Sequence, residues 1–407
     1  MQYGGKSDWQ LRDARVRASC IATAFIAFNL ASTAAAAVPE VAQSRVVAVQ
    51  WPQAGPISVS SSAEDRLKNV DDTKLPVLVP KPFLTFRSLT FVGEALQYSA
   101  SVKAEGATLA ITGTRIAIDT AGEARANDAD KIDSAFGDKS AEASVNRYGA
   151  AYLVTVECDR GGDKRCASAD YAVNLLRAAE LVGGTPETAL LPTPAVPPTP
   201  TTIPVSSDPE FRAEPPGELL PRSGSGVRAE TVYAPGIRFP VSTKPAYLNS
   251  QVWNVGGTNG PPGGWSDSRN YRYPWRDNFC EKRPRKTPMC PGGNGHQGVD
   301  IRPSKPRNQD KQVAVAVESG RISKIGSYSV TLSGDSGTMY NYLHLRGLRV
   351  AVGQRVQAGQ AIGLISNNFG KTATTYHLHF EIKQNRNGKG WVHVPPYSSL
   401  VAAYERM

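Results

Sequence analysis

Gly295-His296-Gln297-Gly298-Val299-Asp300, Tyr342-Leu343-His344-Leu345 and Tyr376-His377-Leu378-His379-Phe380-Glu381 are the strings whose reading decides the fold of this chain. Four of its five histidines stand in them. In the last string, a strand's period of two puts His377, His379 and Glu381 on one face and Leu378, Phe380 and Ile382 on the other. One face is polar and able to hold a metal, and the other suits a core. Imidazole and carboxylate gathered in one domain are what a zinc site needs. His296 and Asp300 must be brought to that polar face by the fold.

The text around these strings is short strands and turns. Val313 to Val317, Arg321 to Ile325, Val330 to Ser333, Met339 to Leu345, Ile362 to Ser366 and Tyr376 to Lys383 are separated by Gly, Ser and Asp. That rhythm predicts a mostly antiparallel β domain. Upstream, Tyr233 to Gly295 is irregular and rich in Gly, Pro and aromatics. The loop between Cys280 and Cys290 carries Lys282, Arg283, Arg285 and Lys286 and runs straight into His296. It reads as one wall of a groove, or as an ordinary solvated basic loop.

The three strings together resemble the lysostaphin/LytM-type zinc metallopeptidases: H-x-x-x-D, a lone H in Y-x-H-L, then H-x-H on a strand. Val352-Gly353-Gln354-Arg355-Val356 and Ala358-Gly359-Gln360-Ala361-Ile362-Gly363 resemble the glycine-punctuated text before H-x-H. The resemblance covers roughly Phe239 to Pro396. It implies a β sheet with a substrate groove across it and one zinc per chain. It assigns His296, Asp300 and His379 to the metal, and His344 and His377 to the roles of base and oxyanion stabiliser, without saying which does which. The substrate it implies is the peptide part of bacterial peptidoglycan. Two departures edge the groove: a long basic segment between Asp300 and Val313, and Ser366-Asn367-Asn368-Phe369-Gly370 in place of the usual Gly-Ser-Thr turn. Glu381 reads as a partner orienting a histidine or as a structural glutamate. His393 has no place in the pattern and reads as structural. Tyr271 and Tyr273 are possible counterparts of an upstream site tyrosine.

The remaining chain surrounds this half with accessory parts. Arg12, Arg15 and Arg17 precede an apolar run from Ala18 to Leu30 and small residues at Ala34 to Ala37, the pattern of a secretory signal peptide over 1–37. The run is shorter than the about 20 residues a bilayer span needs, so no stable membrane insertion is expected once it is removed. An exported location, periplasmic or at the cell wall, follows. Export lets disulfides persist; of the three pairings four cysteines allow, closeness favours Cys158–Cys166 and Cys280–Cys290. Residues 38–74 read as a loosely ordered approach. Residues 75–184 read as a small α+β domain: period-two strands at Leu96 to Val102, Leu109 to Ile118 and Tyr152 to Cys158, then a helix over 169–182 stopped by Gly183-Gly184. Its partner is not legible. A Pro-rich spacer at 185–230 leads to the metallopeptidase domain at 231–400.

Charge points to a polyanionic partner. The formal net charge is +10, and from Gly236 onward about 23 Lys+Arg meet about 9 Asp+Glu. No aromatic-interleaved basic motif or helix-turn-helix signal supports nucleic acid, so an anionic cell-wall polymer is the expected partner. The expected protein is an exported zinc endopeptidase acting on peptidoglycan. The rival readings are a non-catalytic peptidoglycan-binding or activator protein that keeps the fold, and a zinc protease acting on proteins.

Overall fold

The strand Thr372–Arg386 is the axis of the larger sheet. Its alternate residues Leu378, Phe380 and Ile382 are fully buried, as a strand with one face on a core requires. This computed structural model describes residues 39–120, 130–187, 208–228, 230–304, 311–386 and 389–407. The leader expected over 1–37 and the prolines at 192–204 lie outside the described residues.

Four antiparallel neighbours flank the axis. Met339–Leu343 runs along one edge, with Leu343 opposite His379. Val299–Arg302 runs along the other, with Asp300 opposite His379, and Gly390–Val394 continues that edge. At its start the axis pairs with Ala361–Phe369, which bends away to pair with Val313–Val315 and Leu345–Arg346. The protein is mainly β, and its C-terminal half is the antiparallel sheet expected from the short-strand rhythm. The helix Tyr397–Glu405 closes one side, with Tyr404 packed on Phe239 and Trp275.

Upstream lies a six-stranded antiparallel sheet in the order Thr90–Gly93, Gln97–Ala104, Ala107–Thr114, Ala150–Cys158, Ser140–Arg147, Asp133–Gly137. The expected helix over 169–182 is shorter: it spans Asp170–Arg177, and Ala179–Gly183 is instead a strand paired with Val77–Pro80. Val77–Pro80 is buried along its whole length, so its backbone groups need a paired edge. That demand outweighs the helical spacing of the apolar residues at 178, 179 and 182. Ile116–Asp119, which follows Ala107–Thr114 in the chain, belongs to the larger sheet: it pairs with Gln43–Val46 and meets Arg386 at the end of the axis strand. Disulfides join Cys158 to Cys166 and Cys280 to Cys290, the pairing expected from their closeness.

Candidate metal centre and active site

Register brings the first two site residues together. Because Asp300 lies directly opposite His379 on paired strands, their side chains project from the same face. Asp300 Oδ1 lies 3.0 Å from His379 Nδ1. His296 arrives on a short bridge to the cysteine loop, its N–H donating to Glu281 O and its carbonyl accepting from Cys280 N. Its Nε2 lies 3.0 Å from His379 Nδ1 and 3.5 Å from Asp300 Oδ1. Gly298, between His296 and Asp300, lies flat on the axis strand: a Cβ there would stand 2.4 Å from Phe380 O and 3.0 Å from His379 Nε2. A side chain there would force the strands apart.

His344 and His377 stand beside this trio. Leu343 ends its strand, and His344 takes a left-handed φ of 68° that turns the chain. The rings of His344 and His377 are 4.5 Å apart, and His377 Nε2 is 3.4 Å from Asp300 Oδ1. All five residues are buried, with 3–6 % of their surface exposed.

An oxygen acceptor meets one nitrogen of every ring. His296 Nδ1, His344 Nδ1 and His377 Nδ1 each lie 2.8 Å from a backbone carbonyl, those of Asn278, Asn368 and Thr375. His379 Nε2 lies 2.9 Å from Glu381 Oε1. A carbonyl or carboxylate at these distances requires the ring N–H on that side. The other nitrogen of each ring is thereby turned inward. Asn278 acts twice, since its Oδ1 also accepts from Asp300 N. Thr375 is held by Gln251, and Glu381 also accepts from Asn341 Nδ2 at 2.8 Å and lies 3.3 Å from His393 Nε2.

Electrostatics follow the same division. Burial pushes the His296 pKa down to about 4, against the pull of Asp300. Burial would raise Asp300, yet the imidazoles of His296 and His377 hold it well below the usual carboxylate range. Burial, then His377 and His379, push His344 far down, so it is a neutral base at pH 7. Burial disfavours charge on His379 too, but Asp300 and Glu381 on its two sides outweigh this and raise it to about 9. A proton on His379 Nδ1 and a cation among these atoms are therefore alternatives, and binding one releases the other.

The fit to a metal is specific. One atom from each of His296, Asp300 and His379 lies within 4.8 Å of the others, and two imidazole nitrogens with one carboxylate oxygen are the three-ligand set of a catalytic zinc. The carboxylate behind His379 is the outer partner such a ligand commonly has.

The other residues named from sequence have partners of their own, and Arg283 of the basic loop also acts electrostatically on His296. Tyr273 points its hydroxyl at Asp208 and Tyr404, 2.6 and 2.7 Å away, on the core side. Tyr271 donates to the Trp265 carbonyl. In the basic loop, Lys286 pairs with Asp133 of the smaller sheet and Arg283 with Glu281. Asn278, Asn368 and Thr375 were missed. Their contribution is mainly a backbone carbonyl, which every residue carries.

Residues 294–390 match the model of Peptidase family M23. No curated protein matches the chain. Among solved structures, the catalytic domain of lysostaphin from Staphylococcus simulans is 27% identical over 32% of this chain and 93% of that one, with a TM-score of 0.24. A candidate glycyl-glycine endopeptidase, LytM, from Ruminococcus gnavus is 19% identical over 41% of this chain, with a TM-score of 0.26. That match spans 59% of the Ruminococcus chain. A mutant catalytic domain of the prophage-encoded M23 protein EnpA from Enterococcus faecalis is 21% identical over 30% of this chain and 87% of that one, with a TM-score of 0.21.

Proposed function

We propose, from the premise that residues 294–390 are a Peptidase family M23 domain, that the protein is an exported zinc-dependent endopeptidase cutting peptide bonds in peptidoglycan. The observation that carries the metal chemistry is the inward convergence of His296 Nε2, Asp300 Oδ1 and His379 Nδ1, with both rings fixed from outside. When bound, zinc supplies Lewis acidity toward a water and a peptide carbonyl.

The chain's own residues do the proton work. His344 and His377 present Nε2 inward, because Nδ1 of each is committed to a carbonyl. One of them takes the proton of the attacking water and can return it to the leaving amine as a general acid. The other steadies the developing oxyanion. Burial of the trio keeps water from screening these charges.

Peptidoglycan as substrate is supported by the family and by the basic catalytic half, which suits an anionic wall. Export is supported by the leader-like N-terminus and by two disulfides. No helix among the described residues is long and apolar enough to cross a membrane. Zymography on peptidoglycan and on casein tests the substrate. Clearing confined to peptidoglycan supports the reading, and clearing confined to casein replaces it with a protease acting on proteins.

A further inference from the structure

We infer that Lys139 and Glu157, both from the smaller sheet, are positioning residues for His344. The kinetic part of the inference rests on the peptidase reading above; the placement of the ring does not.

His344 needs to be held. Its left-handed backbone is an unfavourable one for a side chain with a Cβ and persists only where the surroundings impose it. Those surroundings are two short segments. Tyr328 accepts from the His344 N–H at 2.8 Å through its backbone carbonyl, and its ring lies nearly parallel to the imidazole. Asn368 supplies the carbonyl at Nδ1, and the Phe369 ring stands edge-on to the imidazole with centroids 5.3 Å apart. Tyr328 and Phe369 also pack on each other, 4.8 Å apart. The tautomer and angle of His344 therefore depend on where the 326–329 turn and the 368–372 hairpin sit.

Both segments are gripped from the smaller sheet. Lys139 Nζ lies 4.1 Å over the Phe369 ring and donates to the Phe369 carbonyl and, at 2.8 Å, to Thr372 Oγ1. Lys371 N donates to Asp159 O beside it. The Glu157 carboxylate accepts from Ser329 Oγ, from Tyr328 N at 3.5 Å and from Lys324 Nζ at 3.2 Å. Lys139, in the turn before Ser140–Arg147, lies beside Glu157 near the end of Ala150–Cys158, where Cys158 N donates to Lys139 O at 2.8 Å. One grips the hairpin and the other the turn. Each is 4 % exposed. Charges this deep are a poor way to add stability, since apolar residues of similar volume commonly do as well or better. They do supply direction, which the box around His344 requires.

The test uses the full chain with Lys139→Met, Lys139→Arg and Glu157→Gln, each zinc-loaded. Hydrolysis of a soluble cross-linked muropeptide is measured beside ¹⁵N-histidine NMR of the imidazoles. Lys139→Met and Glu157→Gln are expected to lower kcat about tenfold with KM within about twofold, as for a catalytic group displaced by a fraction of an ångström. In the same variants the His344 ring signal loses its single Nδ1–H tautomer while zinc content is unchanged, and Lys139→Arg restores both. An unaltered His344 tautomer in Lys139→Met and Glu157→Gln overturns the inference. A rise in kcat also overturns it, making the sheet a lid. If the wild type cuts no muropeptide, the peptidase reading fails, and the His344 signal alone then decides the positioning claim. Should Lys139→Met not fold, Glu157→Gln carries the same comparison.

Discussion

Asp300 and His379 stand opposite one another on paired strands, with Oδ1 and Nδ1 3.0 Å apart. Two ligands of the proposed metal centre are thus set by sheet register. A one-residue slip would send one of them to the core face.

The Gly298 crossing is the narrowest point of that arrangement. Gly298→Ala puts a Cβ within 2.9 Å of Glu381 Cγ and closer still to Phe380 O. The strand must back away, at about 1–3 kcal/mol of stability. We expect a lower Tm together with weaker zinc binding in a chelator competition. Unchanged zinc affinity would show that the crossing does not set ligand geometry.

Glu381 fixes the inward nitrogen of His379. Glu381→Leu removes the acceptor, and zinc affinity should fall about 10- to 100-fold. Glu381→Gln, which keeps an acceptor oxygen, should lose less. Competition against a chromogenic chelator reads both, and equal affinities across the three proteins would contradict the role.

The two disulfides should separate. Removing Cys158–Cys166 as an alanine pair should cost stability of about 2–3 kcal/mol by the loop-entropy relation and leave zinc affinity alone. Removing Cys280–Cys290, whose Cys280 N–H donates to His296 O at 3.0 Å, should weaken zinc binding as well. Denaturant midpoints and zinc titrations on both double variants test the contrast.

Glu318 gives a pH dependence away from the site. Burial raises its pKa to about 7, although Tyr340 and Ser336 donate to it. The folded state therefore holds this proton more tightly than the unfolded state. Its contribution to stability should fall as pH rises from about 4.5 to about 7, by at most about 3 kcal/mol, and stay flat beyond. In Glu318→Gln the fall seen in urea titrations across that range should be shallower by this amount, while Asp277 and Glu281, also raised by burial, keep their share. An equal slope in both proteins would remove Glu318 as a source of the fall.

Much of the site was legible because strand alternation is a strict rule. His377, His379 and Glu381 needed only a period of two, and the buried Leu378, Phe380 and Ile382 occupy the opposite face. What escaped was whatever depends on backbone atoms or distant contacts. The Asn278, Asn368 and Thr375 carbonyls carry no side-chain signature. Lys139 and Phe369 are 230 positions apart in sequence, and no local pattern announces that they touch. The helix expected over 169–182 failed where pairing with Val77–Pro80 claimed its second half. Local spacing there was compatible with two structures, and the buried edge chose.

The most direct measurement is zinc content together with muropeptide release from purified sacculi, for wild type, His296→Ala and His377→Ala. The account predicts one zinc in the wild type and in His377→Ala, none in His296→Ala, and cut peptide bonds from the wild type alone. Zinc bound by the wild type with no bond cut would contradict the peptidase account and favour a binding or activating protein built on the same fold.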